Sequence, residues 1–160
     1  MTDDRITIET ARLAKERGFN LLVKGSYSEY LIDQVDPDYL EGGGPFSMTK
    51  GEIERDDSWF KNGSNNGGDY SNENYTMYAR PTQEELHKWL RDTYGVYVDV
   101  KPHKTEADEL MWFSQVFTLR RYNMTYKMFE YITMFNRGDT YEEVMELGLR
   151  EAVKLIKRED

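Results

Sequence analysis

The stretch Pro81–Pro102, PTQEELHKWLRDTYGVYVDVKP, decides the fold, because start signal, apolar period, stop signal and following strand agree along it. Pro81 holds Arg80 extended, since the proline ring crowds the residue before it. Thr82 and Glu85 have the spacing of a capping box, in which the hydroxyl takes the Glu85 N–H and the carboxylate takes the Thr82 N–H. Leu86, Trp89, Leu90, Thr93 and Tyr94 follow at the spacing of one helical face. Glu84, Lys88 and Asp92 form i, i+4 pairs on the wet side, where His87 also falls. Gly95 closes the helix. Val96, Val98 and Val100 then alternate with Tyr97, Asp99 and Lys101, which predicts a strand with one buried face. An isolated helix of about a dozen residues is marginal in water. Packing its stripe on the valine face is therefore what holds it.

Outward from that stretch the chain continues in the same style. Toward the N-terminus, Thr7 caps a helix with Glu9 in its first turn, and Gly18 ends it. Leu21-Leu22-Val23 reads as a short strand, broken at Gly25-Ser26, with Tyr27–Ile32 as a second strand completing a hairpin. Toward the C-terminus, His103–Glu109 is a turn and Met111–Tyr122 a long strand. Its two sides are Met111, Phe113, Phe117 and Leu119, and Trp112, Ser114, Val116, Thr118 and Arg120. Tyr126–Phe135 fits a helix as well, but its Tyr, Phe, Ile and Thr favour a strand. Arg137-Gly138-Asp139 is a turn. Thr140 and Glu143 repeat the capping box, and Tyr141, Met145, Gly148, Leu149, Ala152 and Ile156 line one face of a last helix. Gly148 within that stripe predicts close approach to a strand. Glu142, Glu143 and Glu146 early, with Arg150, Lys154 and Lys157 late, match the helix dipole.

Between these parts, residues 33–75 lose periodicity. Asp36-Pro37-Asp38 and Gly42–Pro45 are turn chemistry. Lys61–Tyr75, KNGSNNGGDYSNENY, has too little apolar surface to offset its ordering entropy. A long polar loop, partly mobile, is expected there. Trp59 and Phe60 beside it either anchor the loop or contact a partner. The expected architecture is one α+β domain over residues 1–160: an antiparallel sheet, hairpin plus meander, with two to three helices on one face and the loop inserted.

Composition narrows the function. The 160 residues carry 30 acids against 21 bases, a net charge of −9. That keeps the chain soluble or presents an acidic face to a basic partner, and it disfavours direct nucleic-acid binding, which needs a basic footprint. The absence of cysteine excludes disulfides, thiol catalysis and Cys-ligated metals. No apolar run suggests a signal peptide or a membrane span, so a cytoplasmic protein without membrane contact is expected. The triplets at Asn62, Asn74 and Asn123 then carry no glycan, and Arg137-Gly138-Asp139 is no adhesion motif.

Catalytic motifs are absent. His87 and His103 are the only histidines, and neither has a metal-ligand or nucleophile partner at a recognisable spacing. Gly42-Gly43-Gly44 with Thr49-Lys50 lacks the order of a phosphate loop. Asp33, Asp36, Asp38 and Glu41 lack that of a calcium loop. Glu54, Asp56 and Asp57 around Arg55 read as a solvated turn before an acid–base pair. No cofactor is expected. The candidate ligand site is Tyr78, Arg80, Trp112, Arg120, Arg121 and Tyr122, since arginine beside aromatic rings suits a nucleotide-like anion. The alternative is that these rings border the core and the arginines pair with surplus acids. Trp59 and Phe60 are the candidate partner-binding residues.

Three segments, ITIETARLAKERGFN at residues 6–20, PTQEELHKWLRDTYGVYVDV at 81–100 and TYEEVMELGLREAVKLI at 140–156, together resemble a family of small uncharacterised proteins of phages, prophages and mobile elements in gut Bacteroidales. The chain departs from that family at residues 33–75, which are longer here. The resemblance implies no activity or catalytic residue. It implies an accessory protein in a bacterial cytoplasm, and hence a non-enzymatic binder of a host protein, with counter-defence as the natural role. Alternatives are a sponge for a nucleotide-type signal, a small carboxylate-based hydrolase, and self-assembly into a homo-oligomer.

Overall fold

Thr82 does what its spacing with Glu85 predicts. In the computed structural model its hydroxyl accepts from Glu85 N at 3.1 Å, and the Glu85 carboxylate accepts from Thr82 N at 2.8 Å. This structure describes residues 4–30, 51–62, 75–123, 128–131 and 136–156. They form helices α1 (Ile8–Glu16), α2 (Gln83–Trp89) and α3 (Tyr141–Leu155) and strands β1 (Val23–Tyr30), β2 (Gly51–Phe60), β3 (Tyr75–Ala79), β4 (Val96–Lys104), β5 (Leu110–Asn123), β6 (Met128–Tyr131) and β7 (Asn136–Gly138). The fold is α+β. The strands make two antiparallel sheets where one was expected. The chain divides into two compact units, residues 1–19 with 81–160 and residues 20–80.

The first unit packs the three helices with the sheet β4-β5-β6, in which β7 also pairs with β5. Val96 and Val98 are buried as their alternation predicts, opposite Thr118 and Val116. The small-residue side of β5 is the inner one: Ser114, Val116 and Thr118 are buried, while Phe113 and Phe117 stay half-buried on the other face. α3 explains this choice. A Cβ on Gly148 would collide with Val98 Cγ1 and come within 3.0 Å of Ser114 Oγ, so the bare glycine lets α3 lie directly on β4 and β5. Bulky rings on that face would push the helix off.

α2 differs from the expected continuous helix. Leu90–Tyr94 form a π turn before Gly95, whose φ of +65° makes the left-handed stop. The wider turn puts Thr93 in solvent and brings Tyr94 against Trp89, ring centroids 5.2 Å apart. His87, expected on the wet face, is 8% exposed and its Nε2 accepts from Val98 N at 3.1 Å. Burial, and then the neighbouring Arg91 charge, lower its pKa from the usual 6.5, with Glu84 opposing. At the helix start, Gln83 N donates to Asp4 O (2.7 Å) and Ile6 N to Pro81 O (3.2 Å). The chain before α1 is thereby tied to the start of α2.

α1 follows its sequence signals. Thr7 caps it, Gly18 leaves it at φ +88°, and Phe19 meets the edge of Trp89 at 5.2 Å. At α3, Thr140 Oγ1 accepts from Glu143 N as expected, but the Glu143 carboxylate takes Asp139 N at 3.1 Å in place of Thr140 N. It lies over Gly138, where a Cβ would come within 2.6 Å of it. Arg137 and Gly138, expected in a turn with Asp139, instead form β7 with Asn136 against β5. The strand expected within residues 126–135 is present as β6, and the remainder lies outside the described residues.

The second unit is the sheet β2-β1-β3. Here the expected break at Gly25 is instead a bulge. Gly25 adopts φ +130° and the register shifts between Lys24 and Ser26 while β1 runs through. Leu21 and Leu22, expected in a strand, precede it and are exposed. Gly51–Phe60, inside the expected loop, pairs along β1 as β2. Its side chains alternate charge with little apolar content, so period alone does not reveal it. Residues 31–50 and 63–74, which hold the acidic cluster, the glycine run and most of the polar tract, lie outside the described residues.

Candidate functional site

Two grooves occupy the first unit. One, of about 350 Å³, lies on the outer face of β4 and β5 and is lined by Asp99, Lys101, Pro102, His103, Phe113 and Gln115. The register places Asp99 opposite Gln115 and Lys101 opposite Phe113. Lys101 pairs with Asp99 at 2.8 Å, and His103 meets the edge of Phe113 at 5.3 Å. Further along, Tyr97 stacks on Phe117 at 5.4 Å, with the Arg91 guanidinium 5.7 Å from the Tyr97 centroid. This face mixes half-buried rings with paired charges.

The other groove, of about 370 Å³, lies where α1, α2 and α3 begin, between Arg5, Thr7 and Gln83 on one side and Glu142, Glu143, Glu146, Leu147 and Arg150 on the other. Glu146 is 8% exposed. Its Oε1 accepts three hydrogen bonds, from Thr7 N (3.0 Å), Thr7 Oγ1 (2.7 Å) and Thr10 Oγ1 (2.5 Å). Arg150 donates to Thr10 Oγ1 at 3.3 Å and to Thr7 Oγ1 at 3.2 Å. Gln83 Nε2 donates to Glu142 O at 2.9 Å, joining α2 to α3. Glu9, at the first turn of α1, has its carboxyl held below the usual range by its backbone N–H. Glu143 accepts from Asp139 N. Among the described residues, no three carboxylates or histidines are grouped to hold a metal ion.

The residues singled out in the sequence lie elsewhere. Arg80 is 2% exposed, with its guanidinium 5.1 Å from the Tyr27 centroid, and Tyr78 donates to Glu29 Oε2 at 3.0 Å. Both serve the second unit's own sheet. Trp112 meets the edge of Tyr141 at 5.6 Å in the first unit. Arg120, Arg121 and Tyr122 lie on β5, and their side chains are outside the described set. Eight residues of strand separate Trp112 from Arg120, roughly 26 Å at about 3.3 Å per residue. Neither Arg80 nor Trp112 lines either groove. Trp59 and Phe60 split by strand alternation: Phe60 is buried at 2% and Trp59 is 63% exposed.

No family model, curated protein or solved structure matches the chain. Among the described residues no helix is long and apolar enough to cross a membrane. The site residue missed in the sequence is Glu146. Its signal was position: Leu149 and Val153, both buried, stand three and seven residues on, so Glu146 shares their stripe. Reading it as a dipole partner concealed that.

Proposed function

We propose that the protein is a non-enzymatic accessory protein of a phage or mobile element that docks on a host protein in the bacterial cytoplasm and modulates it, with counter-defence as its role. The supporting observation is Trp59. It is 63% exposed, and Leu22 near it is 58% exposed. Lys24 pairs with Trp59 across β1 and β2, and Leu21 and Leu22, which lead into β1, are exposed as well. Tryptophan is the residue type most often found to dominate protein interfaces. At this strand end the indole is outward while Phe60 is buried beside Val23. The −9 charge favours a basic partner by long-range attraction.

The test is a pull-down from host lysate with the full chain and with Trp59→Ser, followed by titration of the recovered protein. Because Trp59 is exposed, the variant should melt where the wild type does. A specific partner lost by at least about 30-fold in affinity, the scale of a roughly 2 kcal/mol hot spot, is expected. Equal recovery by both proteins, or background alone, rejects the reading.

A second reading, a sponge for a nucleotide-like ligand, is favoured by the ring face of β4 and β5, where the Phe113 ring and the Lys101 ammonium line one groove. A base would stack on the ring and a phosphate would meet the ammonium. Thermal-shift screening with cyclic nucleotides and ADP-ribose derivatives decides it. A ligand-induced rise that Phe113→Ala abolishes supports the sponge, and no rise with any ligand sinks it.

A further inference from the structure

The N–H of Val98 points away from its sheet. In the turn that joins β4 to β5, Thr105 N donates to Glu109 O at 2.9 Å, and successive residues of an antiparallel strand direct their backbone groups to opposite sides. Tyr97, Asp99, Lys101 and His103, each an even number of residues before Thr105, therefore face β5. Val96, Val98, Val100, Pro102 and Lys104 face the other way. Among the described residues β5 is the only strand that pairs with β4, so this outward side is a sheet edge. Pro102 brings no N–H to it. The Val98 N–H is met by the imidazole of His87, with Nε2 at 3.1 Å. A side chain from α2 thus stands where a neighbouring strand's carbonyl would stand.

That position fixes the protonation state of the ring. Nε2 accepts, so the ring proton is on Nδ1 and the imidazole is neutral. A second proton can enter only at Nε2, where it meets the Val98 N–H. β5 cannot take Val98 over, because the N–H points away from it. Protonation therefore exchanges one buried hydrogen bond for two opposed donors. The charges that act on the ring are Arg91, which disfavours the proton, and Glu84, which favours it, both in the same helical segment. From β4 the Tyr97 ring meets it edge-on, centroids 5.8 Å apart. α3 reaches α2 through Glu142 O and Gln83 Nε2, and among the described residues no charge of α3 or β4 adds to the two on the segment.

The same ring joins β4 to the segment directly before it. α2 and its π turn lead into β4 through Gly95, whose left-handed φ is the bend between them. The far end of the segment is fixed separately, by the capping box and by Gln83 N to Asp4 O. We propose that His87 is a proton-operated latch: its neutral imidazole holds residues 87–94 on the edge of β4, and protonation releases them locally while the rest of the first unit stays folded. This inference uses none of the residues of the docking corner at Trp59, so either can fail without the other.

Amide hydrogen exchange of the full chain, followed residue by residue by NMR between about pH 8 and about pH 5, the range over which histidine titrates, tests it. Protection factors remove the intrinsic pH dependence of exchange. On acidification the Val98 amide should lose protection at least about tenfold, the scale of one lost buried bond, and the amides of residues 90–94 should follow. The Asp99 amide, which faces β5, and the Leu149 amide within α3 should hold theirs. His87→Gln offers a neutral side-chain oxygen in place of Nε2 and should keep Val98 protected at both ends of the range. The imidazole nitrogen resonances of the wild type at about pH 8 should show the proton on Nδ1. The inference is overturned if Val98 keeps its protection in acid, if Val98, Asp99 and Leu149 lose theirs together, if folded His87→Gln loses it as the wild type does, or if the proton lies on Nε2. Should His87→Gln not fold, the comparison of Val98 with Asp99 and Leu149 in the wild type decides alone.

Discussion

The first unit buries two ionisable side chains at helix junctions, and it treats them differently. His87 joins α2 to β4 through one bond, Nε2 to Val98 N, and that nitrogen then has what it needs. Glu146 joins α1 to α3 through three bonds, all on one oxygen, and the second oxygen is left over. The histidine is a closed structural link. The glutamate is a link with one oxygen left over.

Removing the two links should break this comparison unequally. Glu146→Leu strips the acceptor from Thr7 N and from two hydroxyls at once, and it leaves Arg150 facing an apolar group. A loss of about 3–5 kcal/mol is expected, the range for breaking a buried charged network, read from urea unfolding midpoints. His87→Leu is close in size and leaves one buried N–H, that of Val98, without an acceptor. Its expected cost is about 1–3 kcal/mol, and a loss as large as that of Glu146→Leu would contradict the ranking.

Protonation sharpens the contrast. The folded pKa of His87 lies below 6.5, lowered chiefly by burial. The unfolded chain therefore takes up a proton that the folded chain refuses. The stability contributed by His87 is complete above pH 6.5 and is lost as the pH falls below it. The melting temperature should drop through that window in the wild type. In His87→Leu this part of the drop should vanish, and an unchanged profile would show that His87 does not control it. The smallest effect belongs to Thr10→Val, which removes one of three donors to Glu146 Oε1. It should cost about 1 kcal/mol by the same unfolding measurement, and a cost near zero would mean that Thr7 alone holds the carboxylate.

How much of this was legible depends on where the signals are local. The capping box of Thr82 and Glu85, the valine alternation and the close approach at Gly148 are short-range patterns with one physical meaning each, and they appear as read. β2 was hidden because five of its ten residues, Gly51–Phe60, are charged, so pairing with β1, not amphipathic period, makes it a strand. His87 was misplaced because the stripe was centred on Leu86. At about 100° per residue His87 is only about 60° from Leu90, well within a broad buried arc. Among the candidate ligand residues, Arg80 lies over Tyr27, because arginine and tyrosine also build sheets. Glu146 needed knowledge that Thr7, 139 residues away, would face it, and no local pattern carries that.

The tie between the chain before α1 and the start of α2 has a consequence for biosynthesis. Arg5 pairs with Thr82 across a stretch of chain that includes the whole of the other unit. Closing a loop of that length costs on the order of 4 kcal/mol in chain entropy. Helix α1 is made long before its cap partner Glu146, which lies 139 residues after Thr7. The unit of residues 20–80 is synthesised before the unit that brackets it is complete. A nascent chain stalled before Tyr141 would carry α1 uncapped by Glu146, with Ala11 and Ala14 lacking the helix α3 that completes their unit.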